Sequence, residues 1–589
     1  MAMRLPAVDV VLVGVGWTGG ILAKELSEAG YRVVGLEQGQ MRRTVPGWQS
    51  PAMHDELRYD VQHEMMIDVS RQTLTFRNLV GQTALPMRQL GSFLPGTGLG
   101  GAGVHWNGQT WRFLPSDFRL RSHVTERYGA EMIPEDMTIQ DWGVTYEELE
   151  PFYTHFEAVC GIAGTAGNLN GEIRPGGNPF EGPRSRPFPN PPMKMSYAGK
   201  LFSDAATDLG YHPFPVPSAN VTQHYTNPYG AQLRPCMYCG FCERHGCEHF
   251  AKASAQITVL PFALANRNFE LRTNAHVTRV LFDPQARRAT GVIYVDGRGR
   301  EIEQPAEMVI LCAFAHHNVH LLLVSGIGRP YDPETGQGVV GKNYTYQTMS
   351  SVGVFFGEDV NINPFMGAGA LGRAIDDFNG DNFDHAGLGF IGGGYIACYT
   401  TGASPILSHP VPPGTPRWGL EWKRAVARHY NHTTSLSVHG ASTAHRGNYL
   451  DLDPTYVDAY GQPLLRMTFD FPRNDRLMSR YVTERAAEIA GRMGGETSDV
   501  GWLTGHYSIV PYQTTHNTGG AIMGTDPRTS VVNQHLQSWN LHNLWVMGSS
   551  VFPQNPGYNP TSTVGALTYR AADRMITDYL RNPRPLVPT

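Results

Sequence analysis

The chain has no apolar run approaching the ~20 residues that a membrane-spanning helix requires, although it is 589 residues long. Charge is sparse as well: 17% of residues are Asp, Glu, Lys or Arg, and they nearly cancel at −5. Without a basic or acidic run, nucleic acid is not an expected partner. There is no low-complexity tract and no fixed-period repeat. The 66 glycines and 42 prolines therefore imply many turns and long ordered loops rather than disorder. The first strand is expected within about seven residues of Met1, which leaves no room for the charged, apolar and cleavage regions of a signal peptide. The expectation is a chain with no export signal of its own, which still allows export as a folded passenger on a partner. Cysteine is rare, seven in all, yet Cys236, Cys239, Cys242 and Cys247 fall within twelve positions. Chance composition does not produce that.

What is present begins with "VDVVLVGVGWTGGILAKELSEAGYRVVGLEQG", which reads as strand, tight turn, helix, strand. The continuous apolar run Val10 to Val13 suits a strand buried on both faces of a parallel sheet. Gly14, Gly16 and Gly19 follow as GxGxxG, and Leu22, Leu26 and Ala29 share one helix face. The second strand ends in Glu37, 18 residues beyond Gly19. Such glycines permit a tight turn and close approach of a pyrophosphate to a helix N-terminus, while the acid accepts ribose hydroxyls. The unit alone does not distinguish NAD from FAD.

Two further segments narrow the choice. "GTGLGGAGVHWNGQTWRFLPSDF", from Gly96, is a second Gly-rich loop, and "NLWVMGSSVFPQNPGYNPTSTVGALTYRAADRM", from Asn543, reads as strand, turn, loop and closing helix. That helix should turn Leu567, Ala571 and Met575 inward. Together with "HNTGGAIMGTDPRTSVV" from His516, these segments resemble the glucose-methanol-choline (GMC) family of FAD-dependent oxidoreductases. "ELRTNAHVTRVLFD" and "EMVILCAFAHHNVHLLLVSGIG" fit that family's middle strands, so the resemblance spans the chain. Two departures stand out: Gly520 where many relatives have Thr, and "VGKNYTYQ", Val340 to Gln347, where many have an Asp-His pair. The resemblance implies an α/β (α+β overall) GMC fold. A Rossmann-like FAD domain would be joined to a substrate domain built on an antiparallel sheet with helices. It implies FAD held by Gly14, Gly16, Gly19, Glu37, Gly100, Gly101, His105, Asn107, Val277, Gly548, Ser549, Asn559 and Pro560.

The resemblance also assigns the chemistry. A His of near-neutral pKa is the usual base for an alcohol proton, and His516 occupies the family's base position. Asn559 occupies the second position, where it would hydrogen-bond the same hydroxyl. His506 is a weaker candidate for lining the pocket. His105, in "GVHWN", either bonds the flavin 8α-methyl covalently or packs on the dimethylbenzene ring.

The cysteine loop, 234–250, has the spacing C-x2-C-x2-C-x4-C. Thiolates this close can converge on one centre, as in ferredoxin runs whose last gap is one residue shorter. Zinc is the rival, although all-thiolate zinc usually uses two separated pairs. Disulfides at such spacing bridge poorly without strain. An iron–sulfur cluster is the leading expectation. The resemblance adds that related sugar dehydrogenases carry a 3Fe–4S cluster, which needs three of the four thiols; the sequence does not single out the fourth. Cys160, Cys312 and Cys398 sit in apolar contexts and read as core.

Within the family, "GLGGAGVHWNGQTWR", "MTIQDWGVTYEELEPFY", "GGNPFEGPRS" and "CMYCGFCERHGC" are similar to flavoprotein subunits of membrane-bound sugar-acid dehydrogenases. The likeness implies a periplasmic location, at the membrane only through partners. Those partners would be a small subunit with a twin-arginine signal and a cytochrome c subunit that passes electrons to quinone. The expected reaction is oxidation of D-gluconate to 2-keto-D-gluconate. The alternatives are 2-ketogluconate, another polyol, sugar or glycoside as substrate, or an oxidase if the cysteine loop holds no cluster. The FAD domain is expected from 1–60, 75–165, 225–335 and 500–589, the substrate domain from 336–499, and a Pro-rich surface excursion from 166–224. "NDRLMSRYVTERAAEIAGRMGG" has helical periodicity with Leu477, Tyr481, Ala486 and Ile489 inward.

Overall fold

The computed structural model describes residues 2–42 and 65–588. Residues 43–60 of the first expected FAD segment lie outside the described residues. Three sheets position the site. In the first, the strands run in the order Phe269–Arg272, Val33–Leu36, Val8–Val13, Glu301–Leu311, Arg288–Val295, His276–Asp283. Glu301–Leu311 is long enough to serve two layers. Its first half pairs antiparallel with Arg288–Val295, while its second half pairs parallel with Val8–Val13 and with Leu544–Val546. Val10, Val11 and Leu12 are fully buried, as a parallel strand covered on both faces must be.

The helix Trp17–Glu28 follows the first strand and packs back through Ile21, Leu22 and Leu26. The closing helix Thr561–Arg574 buries Leu567 and Ala571 beside it, and Met575, its C-cap, is buried too. The chain's last long helix therefore lies on its first.

The second sheet is antiparallel, in the order Thr497–Gly501, Thr348–Phe355, Thr433–Gly440, Gly394–Tyr399, Gly372–Ile375, Phe214–Pro215. The helix Arg473–Arg492 covers it with Met478, Val482, Ala486 and Ile489, all buried, while Leu477 and Tyr481 are half-buried at the edge of that core. The Pro-rich segment contributes the helix Tyr197–Asp208, capped by Ser196 accepting from Gly199 N, and this helix packs Phe202 and Ala206 into the same core. A third sheet, Tyr449–Val457, Pro463–Thr468, Leu74–Arg77 and Leu85–Pro86, closes one side of the central cavity. Cys160, Cys312 and Cys398 are buried. No helix among the described residues is long and apolar enough to cross a membrane.

Candidate functional site

A cavity of about 580 Å³ runs from the C-terminal ends of the parallel strands to the face of the antiparallel sheet. Ligands of open α/β sheets bind at that end of the strands. Main-chain geometry builds the first half. Gly14 has φ +95°, and a Cβ there would lie 2.9 Å from Cys312 O; a Cβ on Gly19 would lie 2.1 Å from Gly14 O. Gly19 does not line the cavity, but only glycine there lets the helix rest on the strand. The helix N-terminus at Gly16 has no side-chain cap and no acid in its first turn, so its amides remain for an anion. Glu37 is buried, its Oε2 accepting from Val15 N at 3.1 Å and its Oε1 from Gly39 N at 2.9 Å and Gly98 N at 3.1 Å.

The second Gly-rich loop crosses above the first. Gly100 N donates to Val15 O at 2.9 Å, and Gly101, at φ +55°, sits against Gly16. Gly100 shapes this crossing from outside the cavity wall. Gly14, Gly16, Glu37, Gly101, His105, Asn107, Val277, Gly548, Ser549, Asn559 and Pro560 all line the wall. His105 is buried, and its Nε2 has no hydrogen-bond partner. Burial, with Lys252 second, pushes its pKa down to about 3. An amide-lined helix end, a held carboxylate, and glycines where a Cβ would collide fit a dinucleotide such as FAD.

Side chains build the second half. His516 and Asn559 meet there, with Nε2 of His516 3.2 Å from Nδ2 of Asn559. Gln347 donates its Nε2 to Gly557 O, which turns its Oε1 toward His516 Nδ1 at 2.6 Å. An amide oxygen only accepts, so the imidazole proton resides on Nδ1 and the Nε2 lone pair accepts from Asn559 Nδ2, in a ring that lines the cavity. The Tyr395 hydroxyl lies 2.9 Å from Asn559 Oδ1 and 3.1 Å from Gln109 Oε1, and Tyr399 donates to the same Gln109 oxygen at 2.9 Å. This leaves both N–H groups of Asn559 Nδ2 as donors, one to His516 Nε2 and the other for a ligand in the cavity. Burial first, then the neighbouring His439, pushes the His516 pKa down to about 3. His439 stacks on Tyr395 with ring centroids 4.9 Å apart, and burial brings it to about 3 as well.

The cysteine loop touches this cavity directly. Arg244 N donates to His105 O at 3.0 Å, and Glu243 and Arg244 line the wall. Lys252, fully buried, donates its Nζ to Trp106 O at 2.5 Å, Cys242 O at 2.7 Å and His245 O at 2.9 Å. Besides burial, neighbouring thiols lie close enough to raise the pKa of Cys236, Cys239 and Cys247. Burial, and after it Cys242, pushes Cys236 up to about 12, and burial likewise raises Cys239 and Cys247. None of the seven cysteines is in a disulfide. No group of three or more His, Cys, Asp or Glu among the described residues is set to hold a single metal ion. Asn220 Nδ2 donates to the sulfurs of Cys236 and Cys242 at 3.6 and 3.5 Å, and Ala251 N and Lys252 N donate to Cys247 Sγ, both at 3.4 Å. Cys239 is the exposed member of the four.

His506 corrects a sequence expectation: it is largely exposed, is paired with Asp470, and does not line the cavity. Burial of the neighbouring Tyr507 ring turns the preceding side chain outward. Sequence reasoning missed Gln347, Tyr395, Gln109 and His439. Strand alternation was a usable signal for the last, since Ser435, Ser437 and His439 repeat every second residue and all three line the cavity.

Family models described as GMC oxidoreductase match residues 196–349 and 443–568. A gluconate 2-dehydrogenase flavoprotein of Pantoea cypripedii is 50% identical, with 100% of this chain and 96% of the relative covered. The fructose dehydrogenase large subunit of Gluconobacter japonicus is 25% identical, with 98% and 99% covered. The crystal structure of pyridoxine 4-oxidase from Mesorbium loti matches with a TM-score of 0.58 over 96% of this chain and 99% of that one; at 17% identity it speaks for the fold alone.

Proposed function

The chain belongs to the GMC oxidoreductase family, and from that premise we propose that it is the flavoprotein subunit of a dehydrogenase that oxidises D-gluconate at C2. The observation that carries the dehydrogenase reading is the bonding of the cysteine loop to the His105–Trp106 segment, through Arg244 N and Lys252 Nζ. An oxidase has no use for a metal relay beside its cofactor; a subunit that passes electrons singly to a protein does. The name of the 50% identical relative supports gluconate as the substrate.

FAD, when bound, takes the hydride from the substrate carbon. The rest is the work of this chain. His516 Nε2 accepts the hydroxyl proton, Asn559 Nδ2 donates to the same oxygen, and Gln347 Oε1 holds the Nδ1 proton so that the base keeps its lone pair inward. Burial lowers His516 from the near-neutral value expected of a base to about 3, so its ring is unprotonated but weakly basic, and it takes the proton only as the hydride leaves and the hydroxyl turns acidic. His105 Nε2 would either bond the flavin or pack beside it; acid precipitation that releases all the yellow colour eliminates the bond.

A cluster would be held by Cys236, Cys242 and Cys247, whose sulfurs receive N–H donors of the kind that tune iron–sulfur sites. Cys239, exposed, would be the thiol left over. Several irons span more room than the single ion for which no geometry is set. Met237, within the loop, is 67% exposed, an apolar group suited to contact with a protein acceptor such as a cytochrome c subunit. Export in the folded state on a small partner, and work at the periplasmic face, complete the proposal.

The test is dye reduction by purified protein across gluconate, 2-ketogluconate, sorbitol, fructose and glucose, with iron measured on the same sample. Reduction by gluconate and about three irons per chain are expected. Activity confined to a non-acid sugar overturns the substrate, and absence of iron overturns the relay.

A further inference from the structure

Resting on the reading of this chain as a sugar-acid dehydrogenase, we infer that Arg244, on the cysteine loop, recognises the substrate carboxylate. Among the described residues that line the cavity, Arg244 is the only Arg or Lys. A 2-hydroxy acid carries its carboxylate on the carbon next to the reacting hydroxyl. Its anchor must therefore belong to the segments that frame the base, and Arg244 is fixed to two of them. Its backbone N–H donates to His105 O at 3.0 Å, and its guanidinium lies 4.6 Å from the ring of Tyr512, which opens the run that ends at His516.

The side chain is positioned but not satisfied. It is 17% exposed, and its Nε is buried without a hydrogen-bond partner. The nearest carboxylate oxygen, on Glu243, stands 3.9 Å from Nε, beyond hydrogen-bond reach. A guanidinium offers five donors in a planar fork that matches a carboxylate two-to-two. The charge of Arg244 is met only loosely, by Glu243 at 3.9 Å and the face of Tyr512, and a buried donor without a hydrogen bond is costly, so a bound carboxylate would supply the hydrogen bonds these contacts do not. The backbone supports the same conclusion: Arg244 adopts φ +65°, a left-handed conformation that few non-glycine residues hold. Glycine would relieve that turn, but it would remove the cavity's cation.

The same loop would then serve both ends of the reaction, with Arg244 at the acid and Cys242 and Cys247, on either side of it, in the relay. Sequence alone could not single out Arg244 among 47 Lys and Arg residues. Its place between two cysteines marks it as part of the relay, and only the fold turns it toward the substrate.

The test compares D-gluconate with D-gluconamide, its neutral isostere, in wild type, Arg244→Met and Arg244→Lys, each checked for bound FAD and melting temperature. The expected result is a rise in KM for gluconate on the order of 10- to 100-fold in Arg244→Met. The KM for gluconamide, whose carbonyl offers only a neutral acceptor, should rise far less, and Arg244→Lys should recover part of the gluconate loss. If Arg244→Met does not fold, Arg244→Lys, which keeps charge but loses the fork, must still raise KM for gluconate more than for gluconamide. A wild type that prefers gluconate while the variants lose both substrates equally, or neither, overturns the role of Arg244 and leaves the function standing. A wild type with no preference for the acid overturns the function, and Arg244's role with it.

Discussion

The two halves of the cavity are built from different materials. The nucleotide half is backbone: a helix end at Gly16, close approaches at Gly14, Gly19 and Gly101, and a carboxylate, Glu37, pinned by three amides. The reacting half is side chain: His516, Asn559, Gln347, Tyr395 and Gln109, drawn from five separated segments and joined in one hydrogen-bonded chain. Backbone sites tolerate change wherever the main chain is kept and fail through glycine. Side-chain sites fail one atom at a time. The first kind binds a shared cofactor, and the second decides what is done with it.

The comparison breaks most visibly at the base. His516→Gln should lower kcat by ~10²–10⁴-fold, the usual worth of a positioned general base, while bound FAD, read by absorbance, stays at the wild-type level. Loss of FAD in that variant would show that the halves are not separable. The converse change is smaller. Glu37→Gln keeps the shape but weakens hydrogen bonds to a charged acceptor, worth about 1.5–3 kcal/mol. FAD affinity, measured by reconstitution of apoprotein, should fall on the order of 10- to 100-fold, with kcat unchanged at saturating FAD. A kcat that falls together with affinity would join the two halves again.

The contrast also explains what the sequence disclosed. Gly14, Gly16, Gly19 and Glu37 occur within one βαβ unit at fixed spacing, because local turn geometry demands it. The burial of Val10 to Val13 follows from their continuous apolar run, but the pairing of that strand with Glu301–Leu311, roughly 300 residues on, does not. His516 and Asn559 could be named only through family resemblance, since nothing local to them requires a His or an Asn. Gln347 lay in a stretch marked as a departure from relatives, yet its role depends on Gly557, 210 residues away. Tyr395 is legible only as an apolar strand residue until the antiparallel register sets it opposite His439. His506 misled because ten residues in a loop do not fix which way a ring turns.

Gln347 allows the finest division of the reacting half, because one atom change alters the base's charge balance without touching the cavity wall. In the wild type, burial holds the His516 pKa near about 3, so the base is already neutral and kcat/KM should show no acid limb from it between pH 5 and 8. Gln347→Glu sets a carboxylate against Nδ1–H, and a nearby negative charge favours the protonated imidazole. The His516 pKa must then rise toward its ordinary value. Protonation removes the lone pair that receives the substrate proton, so kcat/KM should fall as pH drops through the raised pKa and recover at high pH. Above that pKa the variant should lose only a few-fold, the cost of its missing donation to Gly557 O. A profile as flat as the wild type's, at reduced height throughout, would mean that Gln347 merely packs beside the base. A shifted limb would show that the amide keeps His516 unprotonated by being neutral.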